Sequence, residues 1–180
     1  MGQLLFLMED SYRKSRGLLD LRMAAEDNDK FSSSAVVDRA EATAAKKDRL
    51  TKAKGLFDKV VDIYRTQTAS LNQTDQLYLK LAHFYRADCL YDLADYEDAI
   101  KAYDAAAFRY QEDPSALAAY VQIVNSYCAL GKMDEAKTAN ERAKWLLRRM
   151  PQEAFTDGSF SMPKAYWEQW LKWTSSTGMW

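Results

Sequence analysis

Apolar positions recur at helical spacing along most of the chain. From Leu4 to about Ala25, residues Leu4, Leu5, Met8, Tyr12, Leu18, Leu19 and Met23 fall on that period, predicting one amphipathic helix with Gly17 as its weak point. The polar break from Glu26 to Asp29, followed by Ser32, Ser33 and Ser34, predicts a turn and an N-cap. Asp38 then lies inside the first helical turns or caps a later start. A second, longer helix is predicted from near Ala35 to Thr66, where Leu50, Ala53, Leu56, Phe57, Val60, Val61, Ile63 and Tyr64 form an apolar side.

Beyond Thr66 the pattern becomes two helix pairs. Ser70 to Thr74 interrupts the period, and Thr74 with Asp75 predicts a new helix start. One helix runs to about Leu93, a turn follows at Ala94 and Asp95, and a second helix reaches about Gln111. Asp113 before Pro114 places a capping acid ahead of a proline whose missing N–H costs nothing in a first helical turn. The next pair turns at Leu130, Gly131 and Lys132, where glycine can take the left-handed conformation, and ends at Met150 before Pro151. Gln152 to Met162 reads as a loop in which Phe155 and Phe160 need somewhere to dock. Pro163 opens a last helix with an aromatic face of Tyr166, Trp167, Trp170, Leu171 and Trp173.

The two pairs are versions of one unit. Ala99 and Ala136 stand 37 residues apart, and the same offset pairs Leu90 with Tyr127, Leu93 with Leu130, Ala94 with Gly131, Tyr96 with Met133 and Ala106 with Ala143. A repeated helix pair of this length predicts a helical solenoid whose units bury their apolar faces by stacking. Alanine at the crossings lets helix axes approach, while Leu90, Tyr96, Tyr103 and Leu130 fill the space beside them.

Composition narrows the fold class further. Six Gly and three Pro in 180 residues are too few for the turns of an all-β fold, so the expected class is all-α in one domain. The formal net charge of −1 gives no bulk attraction to nucleic acid or to an anionic membrane. Locally the signs segregate. Arg39, Lys46, Lys47, Arg49, Lys52 and Lys54 make one stretch basic, and Asp88, Asp92, Asp95, Glu97, Asp98 and Asp104 make the first repeat acidic.

Reactive chemistry is hard to find. Cys89 and Cys128 match no zinc, redox or haem spacing and read as small buried thiols. His83, the only histidine, sits mid-helix without ligand-spaced neighbours or an organised catalytic partner. Phosphate-loop and nucleophile-elbow motifs do not occur. No catalytic residue, metal site or cofactor is therefore expected. The run Leu4 to Met8 is too short to span a membrane and is followed by Glu9 and Asp10, which makes it a poor signal peptide. Phe6 stands where a myristoylation motif wants Ser or Thr. A soluble protein is expected, cytoplasmic, or periplasmic if this chain belongs to a longer exported one.

The central units, at about 80–113 and 117–150, resemble tetratricopeptide repeats, with a degenerate unit upstream in which Ala53 and Phe57 are spaced as Ala99 and Tyr103 are. Ala87, Ala99, Tyr103 and Ala106 meet the family's pattern of small and aromatic positions in the first unit. Ala136 and Ala143 meet it in the second, where Val124 and Asn140 depart from it. Pro114 and Pro151 come late, which makes each unit longer than the usual 34 residues. The resemblance implies a right-handed α-solenoid of antiparallel helix pairs, preceded by a long N-terminal helical hairpin and closed by a Trp-rich capping helix.

In that family the first helix of each unit lines a concave groove that receives a peptide or helix. Carried over, the groove residues are Leu81, Phe84, Asp88, Tyr91 and Asp92 in the first unit, and Ala118, Val121, Asn125, Cys128 and Ala129 in the second. Members that clamp a chaperone's C-terminal carboxylate have basic and amide residues where this chain has Phe84 and Asp88. An apolar segment flanked by basic residues suits the acidic rim better. The expected function is a non-enzymatic interaction scaffold for a protein or peptide, unless another part of the same or a longer chain fills the groove. Trp167, Trp170 and Trp173 either cap the solenoid or anchor a partner. Alternatives are a self-assembly module pairing through its terminal helices, which would make a homo-oligomer, and a bacterial envelope assembly factor.

Overall fold

The structure, a computed structural model, describes residues 39–66, 71–156 and 162–176. Among them are six α-helices, one 3₁₀ turn and no strand, so the all-helical expectation holds there. The helices are α1 (Arg39–Thr66), α2 (Gln73–Asp92), α3 (Tyr96–Arg109), α4 (Ser115–Ala129), α5 (Met133–Arg149) and α6 (Lys164–Ser176), with the 3₁₀ turn at Gln152–Phe155. The readings made for Leu4 to Ala25, Ser32 to Asp38 and Phe160 lie outside the described residues.

Helix ends follow local side-chain chemistry. α2 starts at Gln73, one residue earlier than Thr74, because Asn72 caps it: its Oδ1 accepts from Asp75 N at 2.8 Å, and its Nδ2 donates to Asp75 Oδ2 at 2.8 Å. The expected cap at Asp113 forms, with Oδ1 accepting from Ser115 N at 2.9 Å. At the end of α4, Gly131 N donates to Cys128 O at 3.0 Å and Lys132 N to Tyr127 O at 2.9 Å. With Gly131 at φ 71°, these two bonds make a Schellman motif.

The chain forms two compact units, Met1–Leu93 and Ala94–Trp180, and their boundary falls in the turn between α2 and α3. In the first unit α1 packs against α2. Leu50, Ala53, Phe57, Val60 and Tyr64, spaced alternately three and four apart, bury one stripe of α1 together with Leu79, Ala82 and Cys89 of α2. Phe57 meets the Tyr85 ring at 5.7 Å. Ile63, expected on the apolar side, is exposed, because the helical period carries it past Val60 on the side away from Tyr64 and the rest of the stripe.

Polar links tie the same pair of helices. Asp58 accepts from Lys54 Nζ at 2.9 Å and from Arg86 Nε of α2. Burial alone would raise the Asp58 carboxyl, but the hydrogen bonds and charges of Lys54 and Arg86 outweigh it and hold it below the ordinary carboxylate range. Near the other end, Tyr64 Oη donates to Asp75 Oδ1 at 2.7 Å. Burial, with that bond and charge, pushes the Tyr64 phenol up to about 12.

In the second unit α4 packs against both α3 and α5, and α6 packs against α5. Alanine supplies much of the buried surface: Ala99, Ala102, Ala106 and Ala107 on α3, Ala116 and Ala119 on α4, and Ala136, Ala139 and Ala143 on α5. Between them sit Tyr103, Leu117, Ile123, Leu146 and Leu147, all buried. Gln152 to Phe155 forms a 3₁₀ turn where a loop was expected, since Phe155 is buried and draws the chain in behind it. Lys164 Nζ lies 5.7 Å from the Phe155 ring and donates to Met150 O at 2.8 Å, anchoring the start of α6.

Candidate functional site

The 37-residue offset reappears in burial and in backbone conformation. The pairs Leu79 and Ala116, Ala82 and Ala119, Cys89 and Ser126, Ala99 and Ala136, and Ala106 and Ala143 are buried in both members. So are Ala87 with Val124 and Tyr103 with Asn140, although Val124 and Asn140 break the small-and-aromatic pattern. The turns match as well. Leu93 and Leu130 have φ/ψ of −81°/−2° and −83°/−3°, and Asp95 and Lys132 have −85°/67° and −91°/71°. Between them Ala94, at φ 61°, takes the left-handed conformation that Gly131 takes at 71°.

Because burial repeats, accessibility repeats. On α2, Leu81, Phe84, Asp88, Tyr91 and Asp92 follow one another at helical spacing and are all partly exposed. Their counterparts on α4 are Ala118, Val121, Asn125, Cys128 and Ala129, of which Ala118 and Ala129 are exposed and the rest partly so. The two stripes belong to different compact units.

Their chemistry differs. The α2 stripe joins two aromatic rings and a leucine to the carboxylates of Asp88 and Asp92. Cys89 lies buried beside them, and burial, then the charges of Asp88 and Asp92, push its thiol up to about 12. The α4 stripe has no ionisable carboxylate or cation. Asn125 Nδ2 donates to Gln122 Oε1 at 3.2 Å, while Ser126 Oγ turns inward to Gln122 O at 2.7 Å. Cys128, partly exposed, is the one stripe thiol, and burial raises its pKa too. Cys89 and Cys128 are both free thiols.

The tryptophans stand apart from these stripes on α6. Trp167 and Trp170 are partly buried beside the buried Leu171, whereas Tyr166, 46% exposed, packs edge-on against Trp167 at 6.2 Å. Trp167 Nε1 is buried without a hydrogen-bond partner among the described residues, a cost of about 1–3 kcal/mol. The Trp173 side chain lies outside the described residues.

Two exposed aromatic residues escaped the sequence reading. Phe108 is 78% exposed and Trp145 is 50% exposed, with Arg149 Cζ 4.5 Å from the Trp145 ring. Extending the repeat alignment two residues past Ala106 and Ala143 would have paired them.

Among the described residues no helix is long and apolar enough to cross a membrane, and no three His, Cys, Asp or Glu side chains cluster as metal ligands. No protein-family model matches the chain, and neither does any curated protein or solved structure.

Proposed function

We propose that the chain is a non-enzymatic interaction scaffold, a right-handed α-solenoid of tetratricopeptide-like helix pairs whose α2 stripe receives a polypeptide segment. One observation carries the reading: accessible positions at 81, 84, 88, 91 and 92 return, 37 residues later, at 118, 121, 125, 128 and 129. A stripe repeated at the period of the helix pairs suits an extended or helical ligand that lies along one such helix.

The stripe chemistry favours a particular ligand. Phe84, Tyr91 and Leu81 offer apolar surface, and Asp88 with Asp92 sets a negative rim, so the fitting segment is apolar with flanking Lys or Arg. Trp167, Trp170 and Trp173 belong to a helix that closes the end of the α5 surface.

The test is affinity capture from a cell extract with three forms of the full chain: wild type, Phe84→Ala and Asp88→Lys. Both residues are partly exposed, so helicity and melting temperature should stay near wild type. Each variant should lose the partner that wild type retains. Capture unchanged by both would remove the α2 stripe from the binding surface. The self-assembly reading predicts a complex containing only this chain.

A further inference from the structure

One face of the last turns of α5 carries an exposed indole among guanidinium groups. Trp145 is 50% exposed, and the positions three before it and three and four after it hold Arg142, Arg148 and Arg149, all exposed. That spacing places the four side chains on one side of the helix. Arg149 Cζ lies over the Trp145 ring, 4.5 Å from its centre. Among the described residues none of the three arginines has a carboxylate partner. Glu141, the one carboxylate between positions 141 and 149, is engaged by Lys144 Nζ at 2.6 Å.

The helix pair itself does not require these cations. The 37-residue offset sets Ala105, Gln111 and Glu112 of the first unit against Arg142, Arg148 and Arg149. Arg148 and Arg149, in the last turn of α5, also offset the helix dipole. Arg142 lies about two turns further in, beyond the reach of that effect, and the dipole gives no reason for an exposed indole. A guanidinium held over a ring is attracted through the ring face and keeps N–H donors for other acceptors. Its side chain is already ordered, so less freedom is lost when an acceptor arrives.

We propose that this face binds an acidic segment of another protein, in which Asp or Glu side chains flank an apolar one. The carboxylates take the forks of Arg142, Arg148 and Arg149, and the apolar side chain lies on the exposed surface of Trp145. Tryptophan and arginine are the side chains that most often concentrate binding energy in interfaces. The size of the patch favours a short peptide over a nucleic-acid strand. Its three cations span about 10 Å of helix. Asp134 and Glu135 precede them in the first turn of α5, and exposed Glu153 follows in the 3₁₀ turn. A strand of phosphates needs a longer basic track and would meet those carboxylates. The face is opposite in charge to the α2 stripe and selects a different segment, so it does not rest on the scaffold reading.

Fluorescence anisotropy with the full chain tests the proposal. The probe is a labelled peptide in which two pairs of Glu flank Phe and Leu; the comparators are the same peptide with Gln for Glu and a short labelled oligothymidylate. The Glu peptide should bind at least about tenfold more tightly than either comparator. Trp145→Ala and Arg149→Gln should each weaken it by about tenfold. Arg149→Lys keeps the charge and its place at the helix end, so the fold is preserved, yet it should weaken binding about threefold or more because lysine has no planar fork. No binding of the Glu peptide at high micromolar concentration overturns the proposal, as does equal affinity for the Gln peptide. Tighter binding of the oligothymidylate overturns it in favour of a nucleic-acid strand. Affinity for the Glu peptide that Arg149→Lys leaves unchanged overturns it as well.

Discussion

Ala94 and Gly131 show how one backbone requirement is met by two residue types. Both hold φ near 60–70°, a region in which a Cβ crowds the adjoining carbonyl by about 1 kcal/mol or slightly more. A Cβ built on Gly131 meets nothing within 4 Å, so the cost of Gly131→Ala is confined to the backbone. That substitution should lower stability by about 1 kcal/mol, and Ala94→Gly should raise it by a similar amount, both read from chemical denaturation. The glycine is legible in the sequence as a helix terminator, but the same conformation at Ala94 is legible only through the repeat. The cysteines divide in a comparable way. At pH 8 a thiol with a pKa near 12 is about one part in ten thousand thiolate, and Cys89 is buried as well. In a thiol-reagent time course Cys128 should be labelled in the native protein, and Cys89 only at the rate of unfolding. Fast labelling of both would contradict the burial of α2 against α1.

At the scale of elements, α1 and α2 are joined by an apolar stripe and by the cluster of Asp58, Lys54 and Arg86. The stripe is legible: the three-and-four spacing from Leu50 to Tyr64 can be counted. The cluster is only half legible, because Lys54 and Asp58 lie one helical turn apart while Arg86 arrives from 28 residues away. The start of α2 shows the same limit, since Asn72 and Thr74 are both capable caps and the choice depends on Asn72 holding both the amide and the carboxylate of Asp75. Each side chain of the Asp58 cluster is about a third exposed, so solvent screening reduces what the ion pairs contribute. Asp58→Asn should cost about 0.5–1 kcal/mol at pH 7. The Asp58 carboxyl is held below its unfolded value, so its contribution is fully present above about pH 4 and is lost as pH falls through the lower folded value. The stability gap between wild type and variant should hold from pH 7 to about 5 and close below about 4. A gap that persists at low pH would assign the effect to packing instead.

For the whole molecule, the 37-residue unit is the organising fact, since burial, turn conformation and accessibility all return at that interval. It was readable because alanines and the turn residues recur in register. The exposed pair Phe108 and Trp145 was not, because an aromatic residue near a helix end reads equally well as core until its burial is known. The scaffold proposal gives these repeats a purpose: α2 and α4 each present a stripe of moderate exposure. Hydroxyl-radical footprinting of the free chain and of the captured complex tests that most directly. Phe84 and Tyr91 should lose most of their reactivity in the complex while exposed Tyr166 keeps its own. Equal oxidation of Phe84 and Tyr91 in both states would contradict the account.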